Sequence, residues 1–176
     1  MSTINLLDWP QERDWWEVKR RALVTVGLDP ISPPSAEWRR DILSARHSPI
    51  RYLRLSFLLE GIPYWVSVHL ARHTHAQPYI RSQRNDRQDG YDRNSAPQDA
   101  PVGMIWDINA EELMVIANKR LCGKAAPETR AVVAKMCAAV VEKCPEFAGL
   151  LVPMCAYHGG KCHEMEPCQA RRGRRR

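Results

Sequence analysis

The chain has 176 residues, of which 44% are hydrophobic and 26% are charged, and its formal net charge at pH 7 is +6. This length suits a single domain with one core, and no apolar run approaches the roughly 20 residues that a membrane-spanning helix needs. The first residues, MSTINLLDWPQERDWW, have neither the basic start nor the apolar run of a signal peptide, so we expect a cytosolic protein without a membrane partner.

Most of the net charge lies at the carboxyl end, where residues 171–176 read RRGRRR. Without these five arginines the chain carries about +1, so the total charge says little about the folded part. The basic end is typical of a segment that contacts nucleic acid or an acidic surface, and equally of a disordered solubilising end or a non-native extension. Six cysteines in a cytosolic chain predict reduced thiols.

The first half of the chain predicts helices and one strand. Residues 11–27 place apolar side chains three or four positions apart, which predicts an amphipathic helix that ends at its final glycine. Ser35 has the side chain of a helix cap and predicts a second helix directly after it. Residues 50–61 alternate in polarity and predict a strand closed by Gly61, and Pro63 suits the first turn of a third helix.

The second half predicts a long polar region, short strands and further helices. Residues 76–103 form the polar region, which contains a short strand, YIRSQR, and residues 104–108 form an extended piece. Asn109, followed three residues later by Glu112, is typical of the start of a helix that runs to Leu121. A longer helix with proline in its first turn and a short one, within EFAGLLVPM, complete an α/β or α+β fold with more helix than strand.

Residues 71–87, ARHTHAQPYIRSQRNDR, combine arginine, histidine and serine directly after a strongly apolar stretch. Arg81, Arg84 and Arg87 lie three residues apart, and Ser82 lies between the first two. A guanidinium presents a planar fork of donors that suits phosphate or carboxylate, and a hydroxyl adds a donor of adjustable direction. The segment therefore predicts either a site for an anionic ligand with a flat ring or a solvated basic loop.

The same segment resembles the signature of the flavin-dependent thymidylate synthase (ThyX) family, which reads Arg-His-Arg, seven residues and then Ser. Arg72, His73 and Ser82 stand at matching positions, with seven residues between Thr74 and Ser82. The family also has an arginine two residues after the serine, where this chain has Arg84. The signature is divergent, because Thr74 replaces its third residue.

Two further landmarks of the family follow the same order along the chain. Upstream, Ser48 and Pro49 match the family's His-x-Ser/Thr-Pro-x-Glu-His segment, whose glutamate and histidine are replaced here by Arg51 and Tyr52. Downstream, NKRLCGKAAPETR is similar to the family's Asn-Leu-Arg-Leu-x-x-x-Ala-Gln-Trp-Glu-Ile-Arg helix pair. The matching downstream residues are Asn118, Arg120, Ala125, Glu128 and Arg130.

This resemblance, typical of short members common in bacterial viruses, implies a twisted, mainly antiparallel sheet flanked by helices and assembled as a homotetramer with shared active sites. It implies a cytoplasmic enzyme of a bacterial or phage-infected cell that methylates carbon 5 of dUMP to give dTMP. FAD would be the cofactor, and NADPH and 5,10-methylenetetrahydrofolate would be co-substrates. The domain would span residues 1–155, followed by a Cys/His-rich segment at residues 156–170 and a disordered basic tail at residues 171–176.

The resemblance also implies two sets of site residues. One set would contact FAD, with its asparagine near the flavin ring. The other set would bind dUMP. Its serine and the neighbouring arginine would contact the phosphate, and an arginine of another subunit would contact the uracil. Within it, Ser82, Arg84 and Arg130 would act in catalysis by stabilising charge on the nucleotide. The cofactor set is Ser48, Arg72, His73 and Asn118, and the substrate set is Ser82, Arg84, Arg120 and Arg130.

Departures from the family pattern leave other functions open. Tyr79 and Ile80 replace an Asn-Glu pair, so glutamate is lost there as well as at Arg51. A related flavin enzyme that modifies carbon 5 of a pyrimidine nucleotide differently, for example by hydroxymethylation, fits the same residues, as does an inactive member kept as a scaffold. A nucleic-acid-binding protein that uses the arginine-rich loop and the tail is an alternative from another class, but the body of the chain is nearly neutral.

The segment before the basic tail, CAYHGGKCHEMEPC, is rich in cysteine and histidine. Four such side chains suit a tetrahedral zinc site, but their spacing matches no standard pair of C-x-x-C knuckles. We therefore predict no bound metal. If a structural zinc site exists, its ligands would come from Cys155, His158, Cys162 and Cys168.

Overall fold

The computed structural model describes residues 2–87 and 89–168, in which four antiparallel strands form one sheet. Their order across the sheet is β1-β2-β4-β3, so β2 and β4 form the centre and β3 lies at an edge. The predicted α+β fold with an antiparallel sheet is confirmed, while the predicted tail at residues 171–176 lies outside the described residues. The strands are β1 (Thr3–Asp8), β2 (Arg54–Pro63), β3 (Ala76–Ile80) and β4 (Pro101–Asn109).

Helices connect and cover the strands. In the described part of the chain, none of them is both long and apolar enough to cross a membrane. The α-helices are α1 (Glu12–Val24), α2 (Ala36–Ser44), α3 (Tyr64–Ala71), α4 (Ala110–Arg120), α5 (Pro127–Lys143) and α6 (Met154–Tyr157). Short 3₁₀ helices occur at Ser48–Tyr52, Asn85–Arg87 and Pro145–Phe147.

The predicted helix starts are confirmed by local hydrogen bonds. Ser35 caps α2, because its Oγ accepts from the backbone N–H of Trp38 at 3.2 Å. Asn109 caps α4 in the same way, because its Oδ1 accepts from the backbone N–H of Glu112 at 2.9 Å. The Glu112 side chain does not return to the cap as a capping box requires. It bonds to His73 instead, which places it in the candidate site described below.

The core lies between one face of the sheet and helices α3, α4 and α5. Alternate side chains of β2 and β4 point into it, so Phe57 and its cross-strand partner Trp106 are fully buried. α5 packs against β1, and α3 packs against the other three strands. This packing holds the end of α3 and the start of α4 against the same buried surface.

Several predicted strand limits are wrong, and the N-terminal strand β1 is not indicated by the sequence. The strand predicted over residues 50–61 begins only at Arg54, because Pro49 starts a 3₁₀ helix. It also continues past Gly61, which adopts a left-handed φ of +64° inside a β-bulge. The strand predicted in YIRSQR lies earlier, at Ala76–Ile80, and the short helix predicted in EFAGLLVPM is divided between a 3₁₀ helix at Pro145–Phe147 and α6.

We predict that Phe57→Ala lowers the free energy of unfolding by about 3–5 kcal/mol, because it leaves a cavity among side chains that cannot close over it. Urea denaturation followed by circular dichroism measures this loss. Ile31→Ala is the control, since Ile31 is 98% exposed and its truncation should change the free energy by less than about 0.5 kcal/mol. Equal effects of the two substitutions would contradict this description of the core.

Candidate functional site

The basic segment forms two separate groups of side chains, one at each end of β3. Arg72 caps α3, and the backbone N–H of His73 bonds back to Leu70 at 3.1 Å before the chain enters β3. Ser82 and Arg84 follow the other end of the strand. At about 3.3 Å per residue, the five residues of β3 hold the two ends roughly 13 Å apart.

The first group is built around the buried imidazole of His73. Its Nδ1 lies 3.1 Å from Oε1 of Glu112, and its Nε2 accepts a hydrogen bond from Nε of Arg120 at 3.1 Å. Arg120 also donates from Nη2 to the backbone oxygen of His69 at 2.8 Å. His73 and Glu112 are 9% and 6% exposed, so this network is largely shielded from water.

Positive charge dominates the exposed edge of this group. Burial lowers the pKa of His73, and the charge of Arg120 lowers it further, while the Glu112 carboxylate opposes both effects. Burial followed by the charge of Arg72 lowers the pKa of Arg120. The imidazole is therefore neutral at pH 7, and two guanidinium groups lie close enough to repel each other. Such a pair is stabilised by a bound anion.

The second group surrounds Ser82 at the far end of β3. Arg81, Ser82, Arg84 and Arg87 line an open pocket of about 400 Å³. Arg84 is already occupied, because its Nε and Nη2 donate to the two carboxylate oxygens of Asp86 at 2.8 and 2.6 Å. This hydrogen-bonded pairing lowers the pKa of Asp86, so the carboxylate stays charged at pH 7. An anion that uses the fork of Arg84 has to displace Asp86.

Asn118 is held by Arg46, a residue close to Ser48 in the chain. The side-chain oxygen of Asn118 accepts from Nη2 of Arg46, two residues before Ser48, and its amide nitrogen donates to the Val152 oxygen at 2.7 Å. Arg46 has a left-handed φ of +52°, and among the described residues its buried Nε has no hydrogen-bond partner. Asn118 is buried, and its amide oxygen and nitrogen each already have one partner within the chain, so its predicted contact with a flavin ring remains a prediction.

An open cavity of about 490 Å³ begins beside this contact. Ser48 and Pro49 line it on one side, and Trp38 and Ile42 of α2 supply apolar surface on the other. Asp41 and His47 add polar groups to the same cavity. Its mixed lining suits a ligand with a flat ring.

Arg130 lies in the first turn of α5, where its Nη1 is 3.5 Å from the backbone oxygen of Gly123. The preceding residue, Thr129, places its hydroxyl 3.3 Å from Nδ1 of His69, whose backbone oxygen binds Arg120. Arg130 is thus next to the first group within one chain. Among the described residues, no hydrogen bond joins Arg130 to Arg84, which is paired with Asp86.

Arg51, which replaces a glutamate of the family pattern, is paired with a carboxylate. Its Nε donates to one oxygen of Glu111, and its Nη2 lies 3.4 Å from the other oxygen. Glu111 is the first acidic residue of α4, next to Glu112 in the chain. The negative charge next to Arg51 therefore comes from α4 and not from the segment that contains Arg51.

The cysteine-rich segment lines a pocket of about 220 Å³ between the end of α4 and α6. Over residues 2–87 and 89–168, no three His, Cys, Asp or Glu side chains are grouped so that they could hold a metal ion. The cysteines are free thiols, and burial raises the pKa of Cys137 and Cys144 to about 12. The proposed ligands lie around the pocket together with two further residues: Cys122, Cys155, His158, Cys162, His163 and Cys168.

Three residues of these groups are not identified from the sequence. In the sequence, Glu112 is typical of a helix cap and Arg46 of a surface residue at the end of a helix. Their partners, His73 and Asn118, lie far away in the chain. Asp86 is different, since it is two residues from Arg84 and the spacing alone indicates a local ion pair. A buried glutamate and a non-glycine residue with positive φ become recognisable as unusual only in the folded structure.

Comparison with known proteins identifies a family over part of the chain. Residues 91–146 match the family described as thymidylate synthase complementing protein. This range contains Glu112, Asn118, Arg120 and Arg130, but not the segment with Arg72. Among curated proteins, no sequence is similar enough to this chain to count as a match.

Solved structures share the fold at low sequence identity. Thymidylate synthase X (ThyX) from Helicobacter pylori, determined with FAD and dUMP, is 14% identical with a TM-score of 0.69, over 86% of this chain and 99% of that one. The UMP/dUMP methylase PolB from Streptomyces cacaoi, bound with 5-Br dUMP, is 17% identical with a TM-score of 0.66, over 83% and 92%. The family match over residues 91–146 and the shared fold confirm the predicted resemblance to the ThyX family.

We predict that Asp86→Asn increases the affinity for inorganic phosphate roughly two- to fivefold, because it removes the carboxylate that competes for the fork of Arg84. Titration calorimetry at pH 7 and low ionic strength measures the change. Asp99→Asn is the matched control, since it makes the same chemical change at an exposed position outside the pocket. Equal affinities of wild type and Asp86→Asn would show that Asp86 does not compete.

Proposed function

We propose that this chain, as a member of the flavin-dependent thymidylate synthase family, is a flavin-dependent enzyme that converts dUMP to dTMP. The observation that supports this proposal best is the presence of two cationic groups at the two ends of β3, each suited to a phosphate-bearing ligand. Both proposed ligands, FAD and dUMP, are anionic and carry flat rings. A one-carbon unit from 5,10-methylenetetrahydrofolate and reducing equivalents from NADPH complete the proposed reaction.

The first group fits FAD by the chemistry of its donors. Arg120 is held on His69 and His73, on either side of Arg72 in the chain, and two neighbouring guanidinium groups suit a pyrophosphate dianion. The cavity beside Ser48 offers apolar surface for a ring. Bound FAD would supply the hydride transfer, and the residues of this chain would bind and orient it.

The second group fits the phosphate of dUMP. Ser82 and Arg84 would bind it, and the pocket that they share with Arg81 and Arg87 is open to a ligand from outside. Arg84 would exchange the two oxygens of Asp86 for two phosphate oxygens, which keeps the same bidentate geometry. Arg130 would hold the uracil and stabilise negative charge that builds on it.

The separation of the two groups supports an assembly in which copies of the chain share active sites. Within one chain Arg84 bonds to Asp86 and Arg130 bonds to the backbone of Gly123, and a nucleotide held by these two arginines from different subunits fits these separate contacts. The outer face of the sheet offers apolar surface for such a contact, because the cross-strand partners Tyr79 and Ile105 are 57% and 39% exposed. We propose a homotetramer on these grounds.

An absorbance spectrum of the purified protein, with FAD added where needed, tests the function directly. A flavin band that bleaches under anaerobic NADPH, with a rate changed by dUMP, is expected. Analysis of the nucleotide product then distinguishes methylation from another modification of carbon 5. A protein that takes up no flavin would overturn the proposed function and leave only the fold shared.

We predict that Arg72→Ala raises the dissociation constant for FAD about tenfold or more, because it removes one of two adjacent cations. Arg130→Ala should instead raise the dissociation constant for dUMP while FAD stays bound. Equilibrium dialysis with each ligand measures both constants. Arg20→Ala, a change of the same kind at an exposed position of α1, should leave both unchanged, and unchanged constants in all three variants would refute the assignments.

A further inference from the structure

We propose that Glu112 is a positioning residue, which acts through His73 to hold the guanidinium of Arg120 beside that of Arg72. The three side chains form a chain of hydrogen bonds from the buried start of α4 to the half-buried end of the same helix. The group that they prepare takes a phosphate-bearing anion. The identity of that anion as FAD or dUMP rests on the proposed function, whereas the hydrogen-bond chain does not.

The direction of each hydrogen bond follows from the chemistry of the arginine. A guanidinium only donates, so the Arg120 Nε that lies 3.1 Å from His73 Nε2 requires a lone pair on that nitrogen. A neutral imidazole with its lone pair on Nε2 carries its proton on Nδ1. That proton points at Oε1 of Glu112, which is 3.1 Å away and accepts it. The carboxylate thus selects the tautomer that binds Arg120.

Burial makes this selection strong. His73 is buried, its ring centre lies 6.2 Å from that of the buried Trp106, and little water reaches its Nδ1. Without an acceptor at position 112 the Nδ1–H would be a buried donor with no partner, which is costly. The ring would then favour the other tautomer, whose Nε2–H faces the donors of Arg120 and repels them.

The position of Arg120 matters because it is held against electrostatic repulsion. Arg120 bonds to His69 and His73, which lie on either side of Arg72 in the chain, so the two cations are near each other. Burial, followed by the charge of Arg72, lowers the pKa of Arg120 accordingly. Two contacts anchor Arg120 in place, one to Nε2 of His73 and one to the backbone oxygen of His69. The loss of the first leaves a single anchor, and the guanidinium can swing away from Arg72.

The tautomer of His73 can be measured in the wild-type protein without any ligand. Ring nitrogen and carbon shifts of isotope-labelled histidine distinguish the two neutral tautomers and the cation, and His73→Gln identifies the signal among the six histidines. At pH 7 we expect a neutral ring protonated on Nδ1. A ring protonated on Nε2, or a cation, would overturn the proposal whether or not the protein binds flavin.

Substitutions at Glu112 test the consequence for binding. Glu112→Leu removes the acceptor, and we expect the dissociation constant for FAD or for dUMP to rise about tenfold. Glu112→Gln keeps an oxygen acceptor and should stay within about threefold of wild type. Glu111→Gln is the matched control on the adjacent residue, which pairs with exposed Arg51 and should leave both constants unchanged.

A double substitution distinguishes positioning from general destabilisation. If Glu112 acts through Arg120, Glu112→Leu should have almost no further effect on binding in an Arg120→Met background. Equal losses in both backgrounds, or equal losses for Glu112→Leu and Glu112→Gln, would overturn the proposal. Should wild type bind neither FAD nor dUMP, the proposed function fails, while the tautomer measurement still decides the role of Glu112.

Discussion

The hydrogen bond between His73 and Glu112 is the contact on which the arrangement of the candidate site depends. It joins the end of α3 to the first turn of α4, two elements that carry Arg72 and Arg120. Buried polar groups are stable only when they are paired, so the two helix ends have one favourable relative position. The relative position of the Arg72 and Arg120 side chains therefore depends on this buried pair.

Such a network does not serve stability in the way that the apolar core does. An apolar pair of similar size in the same place would avoid the desolvation of a carboxylate and an imidazole. The polar network instead fixes the orientation of the imidazole, because its hydrogen bonds determine which ring nitrogen faces Arg120. The same logic applies to Asn118, whose buried amide fixes Arg46 in an unfavourable backbone conformation. Both cases are typical of sites where geometry is favoured over stability.

The features that the sequence predicts correctly are those decided within a few residues. Ser35 and Asn109 cap helices because the partner N–H groups are three residues away. The ends of β2 and β3 are predicted poorly, because pairing with β4 decides them and local polarity does not. The site pairs join residues 39 and 72 positions apart. The family signature locates Arg72 and His73, but it does not indicate that the imidazole points inward at a carboxylate.

The β-bulge at Gly61 determines which side chains face the core just before the chain enters α3. A strand presents alternate residues to its two faces, and the bulge absorbs one extra residue so that Leu59 and Ile62 both reach the core. A regular strand of the same length would place Leu59 and Ile62 on opposite faces, so loss of the bulge would turn Ile62 toward solvent and rotate α3 with everything attached to its end. Gly61, whose left-handed φ of +64° permits the bulge, therefore helps to set the orientation of the candidate site from the far end of α3.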